Sequence, residues 1–290
     1  MKKAQYNKWF WIAVTEGILL LCTSVWICNE KIKEREEAEQ YKALEAIYSP
    51  YSKSTEYVRI TMANYKEMLL YKNFEHVKKI SFDVPHNVGM EWMCPAEDVE
   101  RIIQRCGPEL TEFSFACCNI SANTLKILVE KCPNLKKLYL TYSNLEDIPN
   151  EILNLKNLEE LDINGIQLKQ IPNVIFKLKD LKSLSIGSNS PKDLENIKRL
   201  PPEIGQLENL RSLSIFGMPL DSLPEEIGNL MNLESIWISG TGEAGAMKLP
   251  RSFGNLKKLK RICMPSCKKS EFPKELEIEK ITDRDIDEEK

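Results

Sequence analysis

Histidine is almost absent from this chain: His76 and His86 are the only two in 290 residues, and no two of the nine cysteines are spaced as CxxC. A structural or catalytic zinc site draws on clustered His and Cys, so the sequence predicts no metal. Nucleophile elbow, P-loop, HExxH helix and dinucleotide-binding glycine pattern are all missing. The expectation is no cofactor and no enzymatic activity. Positive charge is not in excess either, with 40 Lys and Arg against 43 Asp and Glu. Without a basic stripe to neutralise phosphates, no nucleic-acid partner is expected.

What the chain does have is repetition. "LPEEIGNLMNLESIWI" at 223–238 nearly copies "LPPEIGQLENLRSLSI" at 200–215. The shared frame is L-x-x-L-x-L. It opens at Val77, Leu110, Leu135, Leu158, Leu181, Leu210, Leu233 and Leu259, at intervals of 33, 25, 23, 23, 29, 23 and 26 residues. A unit of this length and frame gives one strand plus a return segment. In "LKKLYLTYS", Leu138 and Leu140 point to one face and Lys137, Tyr139 and Thr141 to the other. The return segment covers the leucine face through Ile148, Ile152, Leu155 and Leu158. One unit cannot bury that face alone, but a stack buries a continuous core. The proline of each "LP" fixes φ and removes a donor, which suits a turn.

Two early return segments read differently. "AEDVERIIQRC" spaces Val99, Ile102, Ile103 and Cys106 as one helical face, with Pro95 near its start. "SANTLKILVEKC" does so with Leu125, Leu128, Val129 and Cys132, after Ser121 as N-cap. Full helices are predicted here, and looser turns in the later repeats. Cys106, Cys118, Cys132 and Cys267 read as small buried residues at repeat positions. A redox pair at Cys117–Cys118 or Cys263–Cys267 is a second possibility.

On "IPNEILNLKNL" and its four near-copies, residues 133–273 resemble the 23-residue leucine-rich repeats of the Ras-suppressor type and the plant intracellular Ras-group class. On "RCGPEL" and "KCPNLKKLYL", residues 95–140 resemble cysteine-containing leucine-rich repeats of substrate adaptors. The resemblance implies a protein-binding α/β solenoid of about eight repeats, with a parallel concave sheet. In that family an Asn or Cys usually stands three residues after the third frame position. Here those positions hold Pro85, Cys118, Ser143, Ile166, Asn189, Met218, Thr241 and Cys267. An irregular ladder is expected there.

The amino terminus carries the other signal. After a short basic tail, 1–8, "WFWIAVTEGILLLCTSVWIC" at 9–28 has the length to cross a bilayer core. Glu16 costs roughly 3 kcal/mol at a helix centre, and the apolar residues offset it at roughly 0.3–0.6 kcal/mol each. Trp9, Trp11 and Trp26 match interfacial belts. The segment is expected to be a transmembrane or signal-anchor helix, with the repeats outside the cytoplasm. The alternatives are a signal peptide cut after Ser24, giving an exported surface protein, or a buried helix in a soluble intracellular scaffold. Residues 29–53 read as a charged helical stalk. Residues 54–76 read as an N-terminal cap, with Val58, Met62, Tyr65 and Leu69 on one helical face. Residues 77–273 are the repeat domain, and 274–290 a solvated acidic tail.

Function then falls to surfaces. One outward column runs Ser81, Ser114, Tyr139, Asp162, Ser185, Ser214, Trp237, Cys263. The column before it runs Lys79, Glu112, Lys137, Glu160, Ser183, Ser212, Ser235, Arg261. The one after includes Thr141, Asn164, Gly187 and Phe216. The partner-binding residues expected on the concave face are Lys137, Tyr139, Glu160, Asp162, Asn164, Ser185, Ser214, Phe216, Trp237 and Arg261. Exposed aromatics are the usual anchors. Insertions following the first, fifth and seventh strands leave one sheet edge and could add to the site.

Overall fold

The computed structural model describes residues 56–61, 65–70, 73–83, 94–116, 118–167, 170–187, 197–239, 247–264, 272–274, 276 and 280–281. The chain divides after Ser54 into two units, and all of these residues belong to the second. The expected tail, span and stalk, 1–53, lie outside the described residues, as do most of the three insertions. Among the described residues no helix is long and apolar enough to cross a membrane.

Ten strands form one parallel sheet in chain order: β1 Tyr57–Thr61, β2 Lys79–Asp83, β3 Glu112–Phe115, β4 Lys137–Tyr139, β5 Glu160–Asn164, β6 Ser183–Gly187, β7 Ser212–Phe216, β8 Ser235–Ser239, β9 Arg261–Cys263 and β10 Lys280–Ile281. The eight frame strands are β2 to β9. Every frame-opening residue from Val77 to Leu259 is buried.

Two strands were not in the expected set. Residues 57–61 form β1 instead of helix, because Tyr57-Val58-Arg59-Ile60 alternates exposed and buried and β2 offers an open edge. Helix α1 is confined to Tyr65–Leu70. The Arg105 guanidinium donates to the Leu69 carbonyl at 2.6 Å. At the other end, Lys280–Ile281 of the expected tail pairs with β9. Leu276 and Phe272 are buried, with Phe272 6.2 Å from Phe253.

The return segments follow the sequence. Helix α2, Ala96–Ile103, buries Val99, Ile102 and Ile103. Helix α3, Ala122–Lys131, starts with a capping box in which Ser121 and Thr124 serve each other's backbone N–H. The later repeats use five-residue 3-10 turns, Asn150–Asn154, Asn173–Lys177, Pro202–Gln206, Glu225–Asn229 and Arg251–Asn255. Each follows a proline, 149, 172, 201, 224 or 250, whose carbonyl accepts the N–H three residues on at 3.1 Å. Behind the first strands, Phe82, Phe113 and Phe115 pack as a buried trio with centroids 4.4–5.9 Å apart.

Neighbouring repeats are joined in three ways besides the sheet ladder. The carbonyl just before each strand from β1 to β8 accepts two N–H groups of the next repeat. Lys182 O, for example, takes Arg211 N at 2.8 Å and Ser212 N at 3.0 Å, and Glu56, Lys78, Thr111, Lys136, Glu159, Arg211 and Glu234 do the same. Both carbonyl lone pairs are thus used. The asparagine before the frame leucine reaches the preceding repeat: Asn134 to Pro108 O, Asn209 to Lys179 O and Asn232 to Glu208 O, each at 2.9 Å. After the strand, Tyr142, Gly165 and Gly217 take φ of 56°, 72° and 68°. Their N–H groups donate to Asn164, Gly187 and Ser239 at 2.9–3.0 Å. The left-handed turn explains the two glycines, and Tyr142 bears its strain.

At the usual family ladder position, Cys118 and Ser143 turn their side chains onto Ala116 O and Leu140 O, while Ile166 and Met218 are buried apolar residues. The ladder is irregular, as expected.

Leu161, 1% exposed, should lose about 2–5 kcal/mol of stability on Leu161→Ala. Asn209→Ala should cost about 1 kcal/mol, the net worth of a side-chain hydrogen bond. Both are read from urea melts. If the asparagine change matched the leucine change, the ladder would be holding more than one bond's worth of structure.

Candidate protein-binding face

The strand pairing reproduces the columns read from the sequence. Lys79, Glu112, Lys137, Glu160, Ser183, Ser212, Ser235 and Arg261 stand in register, and so do Ser81, Ser114, Tyr139, Asp162, Ser185, Ser214, Trp237 and Cys263. All ten expected partner-binding residues lie on this face. Their surroundings divide it into two halves.

In the first half the polar groups satisfy each other. Lys79 pairs with Glu112 at 2.5 Å and lies 5.2 Å from the centre of the Tyr57 ring. Tyr57 also meets the Ser81 hydroxyl at 2.9 Å, which accounts for the burial of Ser81. Lys137 pairs with Glu160 at 2.7 Å, and Tyr139 donates its hydroxyl to the same carboxylate at 2.7 Å. Burial opposes the charge on Glu160, but the hydrogen bonds from Lys137 and Tyr139 outweigh it and hold the carboxyl below its ordinary pKa. Burial, then the Glu160 carboxylate, raise the pKa of Tyr139. Asp162 accepts the Asn164 backbone N–H at 2.9 Å, yet burial is the larger effect and raises its pKa. Asn164 donates through Nδ2 to Ser185 Oγ, and its Oδ1 is buried without a partner.

The second half is built of small residues. Gly187 marks the boundary: a Cβ there would stand 2.5 Å from Asn164 Oδ1 and 2.9 Å from Phe216 Cβ. Beyond it the serine hydroxyls of Ser235 and Ser212 lie 3.0 Å apart. The Phe216 and Trp237 rings meet at 5.7 Å and 57°, a tilted arrangement favoured by ring quadrupoles. Trp237 is 37% exposed. An open trough of about 390 Å³ runs between Ser212, Ser214, Ser235, Trp237 and Arg261, with Leu213, Ile236, Ile262 and Cys263 in its floor. Cys263, expected outward, is buried.

A larger hollow of about 600 Å³ lies where the strands begin, lined by Lys136, Lys156, Asn157, Glu159, Asp180, Lys182, Asn209, Arg211 and Asn232. Two of its cations are neutralised, Lys182 by Glu159 at 2.9 Å and Arg211 by Glu234 at 3.6 Å. It was not among the expected sites. Asn209 and Asn232 belong to the inter-repeat ladder.

Cys94, Cys106, Cys118, Cys132 and Cys263 are buried free thiols. Burial pushes the Cys94 thiol up to about 12. Hydrogen bonding to Cys132, and then burial, raise the pKa of Cys106. Such thiols are poor nucleophiles. Cys117 and Cys267 lie outside the described residues. Among the described residues no group of three or more His, Cys, Asp or Glu could hold a metal ion.

Residues 133–190 match the family model for the leucine rich repeat. These are leucine-rich repeats. The match carries no distinction between the Ras-suppressor-type subclass and others. Solved leucine-rich-repeat proteins are similar at low identity. An internalin from Listeria monocytogenes is 19% identical with a TM-score of 0.45, over 65% of this chain and 48% of its own. The Toll–Spatzle complex of Drosophila is 22% identical with a TM-score of 0.45, over 72% and 26%. The Arabidopsis receptor kinase HAESA ectodomain in complex with a peptide hormone is 23% identical with a TM-score of 0.45, over 59% and 28%. The chain spans less than half the length of each. No curated protein matches it.

The leucine-rich-repeat sheet places Asp162 where ionisation is penalised. The folded protein holds the Asp162 proton to higher pH than the unfolded chain does. Its charge therefore subtracts stability above the raised pKa and nothing below the ordinary carboxylate range. Asp162→Asn keeps an acceptor for the Asn164 N–H and cannot ionise. Its stability relative to the parent should rise in urea melts as the pH climbs from below the ordinary carboxylate range through the raised pKa of Asp162. A difference independent of pH would mean that Asp162 is not desolvated.

Proposed function

We propose that this is a membrane-anchored leucine-rich-repeat protein that captures a protein partner on the open face of its sheet. The observation that carries the reading is the division of that face. Lys137, Tyr139, Glu160, Asp162 and Asn164 are largely engaged with neighbours on the chain. Phe216, Trp237 and Arg261 present a ring pair and a charge to solvent beside a serine-lined trough. Exposed aromatics surrounded by small polar residues are the make-up of a binding hot spot with its rim. The partner therefore docks on β7–β9, with Ser214 in the trough and Ser185 at the margin. The strands hold that surface rigid, so little ordering cost falls on binding.

The membrane is engaged through residues 9–28, whose length and tryptophan belts support a single span, and the repeats face away from the cytoplasm. The five buried free thiols favour a second reading, with the repeats on the reducing side. Protease added to intact cells separates the two: digestion of 77–273 supports the first, and protection the second. Retention of the chain in membranes after carbonate washing supports the anchor. A soluble chain beginning at Val25 would replace it with cleavage after Ser24.

Phe216→Ala with Trp237→Ala should leave the thermal midpoint nearly unchanged and weaken partner capture at least about tenfold, about 1.4 kcal/mol. Pull-down from membranes followed by titration of the identified partner measures it. Unchanged affinity would move the site to the insertions or the return-turn face. A large loss of stability would show that the rings serve the core.

A further inference from the structure

Phe216, Trp237 and Arg261 come from three successive strands, β7, β8 and β9. In the Arg261 column, the charges of β2 to β5 lie against opposite ones on the next strand: Lys79 against Glu112 and Lys137 against Glu160. Arg261 departs from that pattern. Its register neighbours are Ser235 on β8 and Lys280 on β10. It is exposed and has no carboxylate partner among the described residues. The trough of about 390 Å³ runs from this arginine past Ser235 and Ser212 to Trp237. A column that neutralises its charges in pairs on β2 to β5 carries on β9 a cation whose counter-ion the described residues do not supply.

We propose that the trough binds an extended acidic peptide segment of the partner, one Asp or Glu side chain meeting Arg261 and one apolar side chain resting on Phe216 and Trp237. This deepens the reading of the open face as the binding face and rests on it. The guanidinium fork takes a carboxylate through two parallel N–H···O bonds. The Ser212 and Ser235 hydroxyls, already bonded to each other at 3.0 Å, keep acceptor lone pairs for peptide N–H groups. Spacing sets the motif. By register the midpoint of the Phe216–Trp237 pair lies one and a half strand intervals across and three residues along from Arg261, roughly 12 Å, and an extended peptide rises about 3.3 Å per residue. The acidic residue therefore stands about four residues from the apolar one.

The test is an array of immobilised nonapeptides carrying one Leu, Phe or Trp and, about four residues away, Asp or Glu, the corresponding amide, or Lys. It is probed with the full chain in detergent. Acidic members should bind at least about tenfold more tightly than their amide counterparts. Arg261→Gln should abolish the preference and Arg261→Glu should turn it toward Lys, with unaltered melting curves. Equal binding of acids and amides by the parent chain would overturn the proposal. So would tighter binding by a chain shortened after Ile281, because the chain's own acidic end would then be the occupant. Loss of partner capture in the Phe216/Trp237 double variant, combined with no acid preference, would leave the face reading standing and remove the peptide alone. No effect in either experiment would remove both.

Discussion

Every repeat in this protein leaves an apolar strand face that it cannot cover, and every strand has two edges that it cannot pair. Both problems are solved by the next repeat. The carbonyl before each strand from β1 to β8 binds two N–H groups of its successor, which fixes the spacing between repeats and the register. A slip of one residue would turn the leucines outward, so the shared carbonyl and the buried frame enforce the same alignment. Stability is then a sum of nearest-neighbour terms. The ends of the stack are the exception. There β1 and β10 pair with the outer frame strands, and Phe272 packs near Phe253.

The fixed register turns sequence into surface. Residues that alternate along a strand become columns across the sheet, and neighbours in a column decide what each polar group can do. Glu160 has a lysine on one strand and a tyrosine reaching it from the next column, so its charge is consumed within the fold. Arg261 has a serine beside it. The difference lies in the register partners and not in the residue types. Gly187 contributes by what it omits, because a Cβ there would collide with both Asn164 and Phe216.

Much of this was legible in the chain. The L-x-x-L-x-L frame gave the eight central strands, and the "LP" prolines marked the turns that follow them. The columns came from alternation alone, and Phe216 beside Trp237 followed from adjacent frames. The Asn of "PNL", "ENL" and "MNL" was equally visible in the repeated phrase, yet its bond to the preceding repeat depends on turn geometry that periodicity does not specify. Residues 57–61 were misread as helix because Val58, Met62, Tyr65 and Leu69 also fit a helical face. The open edge of β2, a tertiary demand, decides for strand. The pairing of Lys137 with Glu160, which separates the two halves of the face, needs side-chain reach across strands. That Cys263 is buried in the trough floor had no signal in alternation.

The central claim is that recognition resides on β7–β9, where the face is not already neutralised. Site-specific photo-crosslinking in the cells that make the protein tests it most directly. A benzophenone amino acid would be placed at 237, at 139 in the self-paired half, and at 208 where the strands begin. The account predicts one discrete adduct from position 237 and none from 139 or 208. Adducts from 139 or 208 with none from 237 would contradict it.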